Sequence, residues 1–329
     1  MILSKRRLSR QLACCWLLVL SVNALSFSAL AKQAVDETMV TENSPNVEIE
    51  HVNGTAIIKG WDKQEIKITG ELGDNTEDFT FSKDGNDVLI KVDVKRFQDD
   101  WKNSSIDKGD RLTIYLPVAS RVSYTAVHAD LEISEINNDT RVELINGDIK
   151  ANTLSGRVKL ETVNGDVSLT DIQGVLVVES VNGDIEGNHQ GNKDARLVTV
   201  NGDIRINTNS PEVRVESVNG NMDITLAKVR ELDIVTVNGE VNVKLELAEN
   251  GDVSATSVGG GLQLSFQKNV SARFDVEAHA GGEIINRISS DKMRSAKYGP
   301  NKWLEFTQHG GAGRVEISTV HGKVDLSVY

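Results

Sequence analysis

The chain has 329 residues, with 36 basic and 48 acidic side chains, 5% aromatic residues and two cysteines. A formal charge of −12 with no long basic block argues against nucleic acid or anionic lipid as the main partner, because both need a cationic footprint. Both cysteines, Cys14 and Cys15, lie in a predicted export signal, so no disulfide, thiolate metal site or cysteine nucleophile is expected in the remainder.

The signal is predicted over residues 1–31. Lys5, Arg6, Arg7 and Arg10 precede an apolar run from Leu12 to Leu20, and Ala29-Leu30-Ala31 offers small residues to a signal peptidase. Ser21 and Asn23 interrupt the run short of the roughly 20 apolar residues that span a bilayer. Cleavage would leave 329 − 31 = 298 residues carrying 36 − 4 = 32 basic and 48 acidic side chains, a formal charge of −16. The expected address is the periplasm or cell envelope, or secretion beyond it, with no membrane span.

Residues 32–46 show no period and read as a flexible leader to a domain over 47–329. An outlying V-N-G-T-A begins at Val52, and F-Q-D-D-W-K-N-S-S-I-D-K-G-D interrupts the strand pattern over 97–110. The regular region, 127–285, repeats an aliphatic-Asn-Gly-acidic tetrad. Its turns are Asn146-Gly147-Asp148, Asn164-Gly165-Asp166, Asn182-Gly183-Asp184 and Asn201-Gly202-Asp203, followed by Asn219-Gly220 and Asn238-Gly239. The Asn spacings are 18, 18, 19, 18 and 19. Weaker copies begin at Val127, Val258, Ala280 and Val320, and a locally basic break over 286–303 reads as a second protruding loop.

Counted from each Asn, positions −4, −1 and +3 are aliphatic columns, in short β-branched runs that signal strands. Two folds could use an Asn-Gly turn at this period. A hairpin would place its flanking residues on the same face, yet these are Val163 with Asp166, Val181 with Asp184 and Val200 with Asp203. A coil that turns a corner avoids that mismatch, and stacking in register explains the near-constant period. The expected fold is therefore all-β, a single elongated β-solenoid of 18–19 residues per coil with a second corner near Gly174. About fifteen coils rising about 4.8 Å each would give a rod on the order of 70 Å long. In this register the −1 and +3 columns are core, while −2 (Thr162, Ser180, Thr199, Ser217, Thr236, Ser257) and −3 are surface. Val200→Asp should then cost several kcal/mol and Thr199→Asp less than about 1 kcal/mol.

The Asp column invites comparison with the calcium β-roll, whose G-G-x-G-x-D turns cage ions on both edges. This chain offers one carboxylate per coil on one edge, and Asn221 and Glu240 break the column, so the expected role is acceptance of local backbone N–H groups. His128 and His321 stand at Asn positions, where tolerance of a left-handed backbone would admit them. No histidine pair has zinc-ligand spacing, and no nucleophile elbow, phosphate loop or dinucleotide fingerprint occurs.

The run V-E-I-E-H-V-N-G-T-A-I-I-K-G-W-D-K-Q-E-I-K-I-T-G from Val47, R-L-T-I-Y-L-P-V-A-S-R-V from Arg111, the serial N-G-D coils and G-R-V-E-I-S-T-V-H-G-K-V-D-L from Gly313 together resemble the bacterial putative-adhesin domain of unknown function. That family more usually has Ser where this chain has Asn146, Asn164 and Asn182; either suits a tight corner. The resemblance implies an envelope-exposed β-solenoid with no catalytic residues to carry over. The expected function is a non-enzymatic, adhesin-like binding or scaffolding protein of the cell envelope, with no cofactor or metal and with an envelope protein, a glycan or a surface as partner. The alternatives are a carbohydrate-active enzyme on the same scaffold and a calcium-dependent β-roll-like module. The sequence leaves the oligomeric state open.

Overall fold

A computed structural model describes residues 33–95 and 109–329. The predicted signal and most of the first predicted loop, residues 96–108, lie outside the described residues.

In the repeat region each coil contributes one strand before the Asn-Gly corner and one after it, and both pair in parallel with the coils above and below. Arg157–Asn164 lies between Thr140–Asn146 and Val175–Asn182. Val167–Ile172 lies between Ile149–Leu154 and Ile185–His189. The offset is the sequence period itself, so Asn146, Asn164, Asn182, Asn201, Asn219 and Asn238 fall on one another. Neighbouring coils are thus parallel, as crossover connections demand and two-residue hairpins forbid. No helix occurs among the described residues.

Both ends depart from simple stacking. Asn46–Trp61, first of the coil strands in sequence, is sandwiched between Asp87–Val94 and Asp110–Pro117 on one side and Arg121–Ile136 on the other. Glu65–Glu71 adds antiparallel to Asp110–Pro117, and Ala34–Val40 adds antiparallel outside it. The predicted flexible leader therefore contains an edge strand, with Val35 buried. Its lack of period reflects pairing along a single edge instead of between two coils. At the other end, Gly313–Thr319 inserts between Val241–Ser257 and Ala272–Ala278, and Lys323–Val328 inserts between Leu262–Phe266 and Glu283–Asn286. Lys302–Gln308 then closes the stack antiparallel to Ala272–Ala278. In the second predicted loop, Arg287 is tied to Asp325 by two hydrogen bonds of 2.9 and 3.1 Å, and Arg294–Ser295 pairs with Lys302 and Trp303.

The core is a file of small aliphatics from −4, +3 and +5, including Val142, Leu160, Val178, Leu197, Val167, Ile185 and Leu169, all buried. The expected assignment of −1 and −2 is reversed. Ile145, Val163, Val181, Val200 and Val218 at −1 are 37–48% exposed, whereas Thr162, Ser180, Thr199, Ser217, Thr236 and Ser257 at −2 are 0–4% exposed. The pleat continues unbroken to the corner, so −4 and −2 share the inner face and −1 must face out. At this inner corner the Thr162 and Thr199 hydroxyls reach the Gly147 and Gly183 carbonyls at 3.4 Å each, whereas the Ser180, Ser217 and Thr236 hydroxyls are buried without a hydrogen-bond partner among the described residues.

The glycine is required by the stack as well as by its own dihedral. Gly165 has φ +156°, and a Cβ there would lie 2.0 Å from the carbonyl oxygen of Gly147 in the preceding coil. Gly165→Ala should therefore force adjacent coils apart at a cost of about 2 kcal/mol or more, read as a lowered urea midpoint. With the corrected register, Thr199→Asp should cost several kcal/mol and Val200→Asp less than about 1 kcal/mol. Melting both variants by circular dichroism checks the assignment.

Candidate functional site

Two polar ladders run along the Asn-Gly corner. Asn side chains donate to one another in file: Asn164 Nδ2 to Asn146 Oδ1 and Asn182 Nδ2 to Asn164 Oδ1, both at 2.8 Å, continuing through Asn201, Asn219 and Asn238 at 2.9–3.0 Å. His128 ends the file, its Nδ1 lying 3.0 Å from Asn146 Nδ2. The left-handed backbone expected for His128 and His321 is not found: the residues with positive φ near this corner are the glycines. On the opposite corner, Thr153 and Asp171 do adopt it, at 52° and 51°. His128 is accommodated by the amide ladder instead.

The Asp column is a second ladder. The backbone N–H groups of Asp148, Asp166, Asp184 and Asp203 each donate to the Oδ1 of the preceding coil's Asp, at 2.8–3.0 Å. The carboxylates are backbone acceptors, as expected, but their donors belong to the next coil, so the column welds coils together. Asn221 continues it because an amide Oδ1 accepts equally well, here from Glu240 N–H at 3.0 Å. Among the described residues no group of three or more His, Cys, Asp or Glu side chains is gathered to hold a metal ion.

Four surface columns flank these corners. The −1 column is aliphatic on ten successive rungs, Val52, Val127, Ile145, Val163, Val181, Val200, Val218, Val237, Val258 and Val320, and the strand beyond places His279 beside Val320. Val127, Ile145, Val163, Val181 and Val200 line an open groove of about 620 Å³. Beside it, on columns −3 and −5, Arg141, Lys159, Arg196 and Arg214 alternate with Glu143, Glu161, Glu179 and Glu216. Ion pairs link neighbouring coils, Arg141 to Glu161 and Arg196 to Glu216 at 3.2 Å each. On the second ladder, Ser134, Asn152, Thr170, Asn207 and Thr225 form an outward column of uncharged hydrogen-bonding groups, with Asn188 beside Asn207. The period points to such columns, but reading the −1 residues as core hid the aliphatic one.

Two buried polar clusters interrupt the aliphatic interior. His51 Nδ1 lies 2.8 Å from the Tyr124 hydroxyl and its Nε2 3.2 Å from Asp110 Oδ2, with the imidazole and carboxylate side chains fully buried. Asp110, which the sequence placed at the end of an exposed loop, instead begins a strand, because its Oδ1 accepts from Gly73 N–H at 2.7 Å and the Thr76 hydroxyl at 2.6 Å. Burial by itself would raise the Asp110 carboxyl, but the contacts with His51, Thr76 and Gly73 outweigh it and hold the group below its ordinary value. Burial pushes the Tyr124 phenol far above its ordinary range, so it remains neutral.

His189 replaces an aliphatic in the column of Ile172. Its Nε2–H donates to Gly174 O at 2.8 Å. Ser210 gives its hydroxyl hydrogen to Lys193 O at 2.6 Å, leaving the Thr208 hydroxyl, 3.0 Å from Nδ1, as the donor to the ring. Burial lowers the His189 imidazole below its ordinary value.

These features describe an all-β protein of parallel coils stacked through polar corner ladders. The chain belongs to the Toastrack DUF4097 family, whose model matches residues 44–327. Among solved structures it is similar to a putative adhesin from Bacteroides fragilis NCTC 9343, with 11% identity, 90% of this chain and 98% of that one covered, and a TM-score of 0.40. It is also similar to a putative lipid binding protein from Parabacteroides distasonis ATCC 8503, with 13% identity, 91% and 98% covered, and a TM-score of 0.42. A putative adhesin from Parabacteroides merdae ATCC 43184 matches at 11% identity over 71% and 92%, with a TM-score of 0.36. No curated protein matches the chain.

Both buried clusters make the fold acid-sensitive, with the same sign. The depressed His189 imidazole contributes stability that is present above its unfolded value of 6.5 and lost as pH falls through the folded value. The depressed Asp110 carboxyl contributes stability that is present above 3.8 and lost below it. Urea midpoints should therefore fall in two stages on acidification. His189→Leu should flatten the first stage alone, and Asp110→Asn should cost at least about 2 kcal/mol at neutral pH and flatten the second.

Proposed function

We propose that this chain is an exported, non-enzymatic β-solenoid acting as an adhesin-like binding or scaffolding protein of the cell envelope, with a glycan or other repetitive surface polymer as ligand. The observation that carries the reading is the outward column of Ser134, Asn152 and Thr170 on successive rungs, continued by Asn207 and Thr225 beyond the intervening coil of Asn188, uncharged hydroxyls and amides on a backbone that the corner ladders make rigid. Such a column hydrogen-bonds a neutral polar repeat without an electrostatic penalty from the acidic chain, and its groups are preorganised, which lowers the ordering cost of binding. Family membership supports the reading. Among the described residues no helix is long and apolar enough to cross a membrane.

The test is retention of glycans and envelope extract by the immobilised wild type and by a triple variant, Asn152→Ala, Thr170→Ala and Asn207→Ala. The wild type should retain a carbohydrate or envelope component, and the triple variant should lose about tenfold or more in affinity while melting within about 1 kcal/mol of wild type. Equal retention by both, or depolymerisation of the glycan by the wild type, would count against it.

A further inference from the structure

The ladder corners set one reactive dipeptide in the same local sequence on every rung. Asn146, Asn164, Asn182, Asn201, Asn219 and Asn238 each follow valine or isoleucine and precede glycine. An Asn-Gly pair carries chemistry of its own, because a glycine nitrogen, uncrowded by any side chain, can attack the asparagine side-chain amide. With neighbours alike, intrinsic reactivity is alike on the six rungs. What differs is how firmly the stack holds the two groups that must meet.

Five of the six pairs are held at three points. The glycine N–H donates to the next coil's Asn carbonyl: Gly147 to Asn164, Gly165 to Asn182, Gly183 to Asn201, Gly202 to Asn219 and Gly220 to Asn238, at 2.9–3.2 Å. Each of these Asn side chains bonds the preceding rung through Nδ2 and accepts from the following rung at Oδ1. Ring closure must break all three contacts.

Asn238-Gly239 retains one of them. Asn238 Nδ2 donates to Asn219 Oδ1 at 3.0 Å, but among the described residues its Oδ1 accepts no hydrogen bond and the Gly239 N–H donates none. The cause lies in the next coil, where the register sets Gly259 beside Asn238 and so supplies no amide to extend the file. The backbone there turns instead on Ser257, whose hydroxyl gives to Gly260 O and accepts from Gly260 N–H at 3.0 Å each. Asn238 is also exposed. Elsewhere Asn53 is buried, and so is Gly251 after Asn250, out of reach of the base that must take the amide proton.

We infer that Asn238 is a site of spontaneous deamidation, with water as the co-reactant. Hydroxide removes the Gly239 amide proton, and the nitrogen forms a bond to Asn238 Cγ. The Cγ–Nδ2 bond breaks, and the leaving nitrogen takes a proton from water and departs as ammonia. Water then opens one of the two carbonyl–nitrogen bonds of the succinimide ring. One opening gives aspartate, and the other gives isoaspartate with the chain rerouted through the former side chain. Either product disturbs the stack. A carboxylate sets acceptor against acceptor at Asn219 Oδ1, where a donor stood. Isoaspartate adds a backbone carbon at a corner with no room for one, since a Cβ on Gly239 would already lie 2.0 Å from Gly220 O. The joint between this corner and the coil that begins at Val241 therefore loosens as the protein ages.

Peptide mapping by mass spectrometry after incubation at mildly alkaline pH tests the inference, with the exported chain folded in one arm and unfolded in urea in the other. The tryptic peptide Glu231–Lys244 carries Asn238 in its sole Asn-Gly pair. In the folded chain Asn238 should convert about tenfold or more faster than the other five corners, the effect of two fewer hydrogen bonds to break. Urea should bring the six rates together. The aged wild type should melt below the fresh protein, whereas Asn238→Ser should melt alike before and after incubation. Equal rates at the six corners of the folded chain would overturn the inference, as would a faster rate at any other Asn-Gly pair. Persistence of Asn238 in the folded chain over a period that converts it in urea would overturn it too.

Discussion

At every Asn-Gly corner the backbone of one coil rests directly on the backbone of the coil before it. A Cβ at Gly165, Gly183, Gly202 or Gly220 would lie 1.9–2.1 Å from the preceding glycine's carbonyl oxygen. The contact fixes the rise, and the rise sets the spacing of everything else. Because the corners stack so closely, the Asn amides meet at hydrogen-bonding distance, the Asp carboxylates meet the next coil's N–H groups, and the aliphatics inside form an unbroken file.

The two corner ladders resolve what would otherwise be an electrostatic conflict. Carboxylates about 4.8 Å apart repel when nothing intervenes. Here each one accepts a backbone N–H from the coil that carries its nearest neighbour, so the interaction that offsets the repulsion runs in the same direction as the repulsion. The amide file beside it is neutral and self-complementary, each Asn giving one N–H and accepting one. The period thus produces order on the outside as well as in the core, and each outward column becomes a surface of one chemical character: aliphatic, charge-balanced, or neutral and polar.

The ends obey a different rule. A parallel stack exposes an edge at each terminus, and exposed edges invite further pairing. Antiparallel strands cover both, with Ala34–Val40 and Glu65–Glu71 at one end and Lys302–Gln308 at the other. The strands nearest the C-terminus do not form the outermost coil. Gly313–Thr319 and Lys323–Val328 are held between coils, with Asp325 gripped by Arg287.

The sequence by itself determined the all-β class, the 18–19-residue period, the parallel stacking and the corner identities, because a register repeated many times leaves its mark on every copy. The near-constant period was enough to favour stacked coils over hairpins, whereas the mismatch between Val163 and Asp166 took Val163 as buried, and both are exposed. It also contained, unread, the facing of Val200: strict alternation from Leu197 and Thr199 places it outside, and only the assumption that aliphatic means buried concealed this. What the tertiary structure alone decided were the features without a repeat. The leader's pairing with Glu65–Glu71, the insertion of the last strands between earlier coils, and the burial of Asp110 with His51 and Tyr124 each join residues far apart in sequence. Each occurs once, so no period announces it, and its partners are set by which backbone edges remain unpaired after the regular coils have stacked.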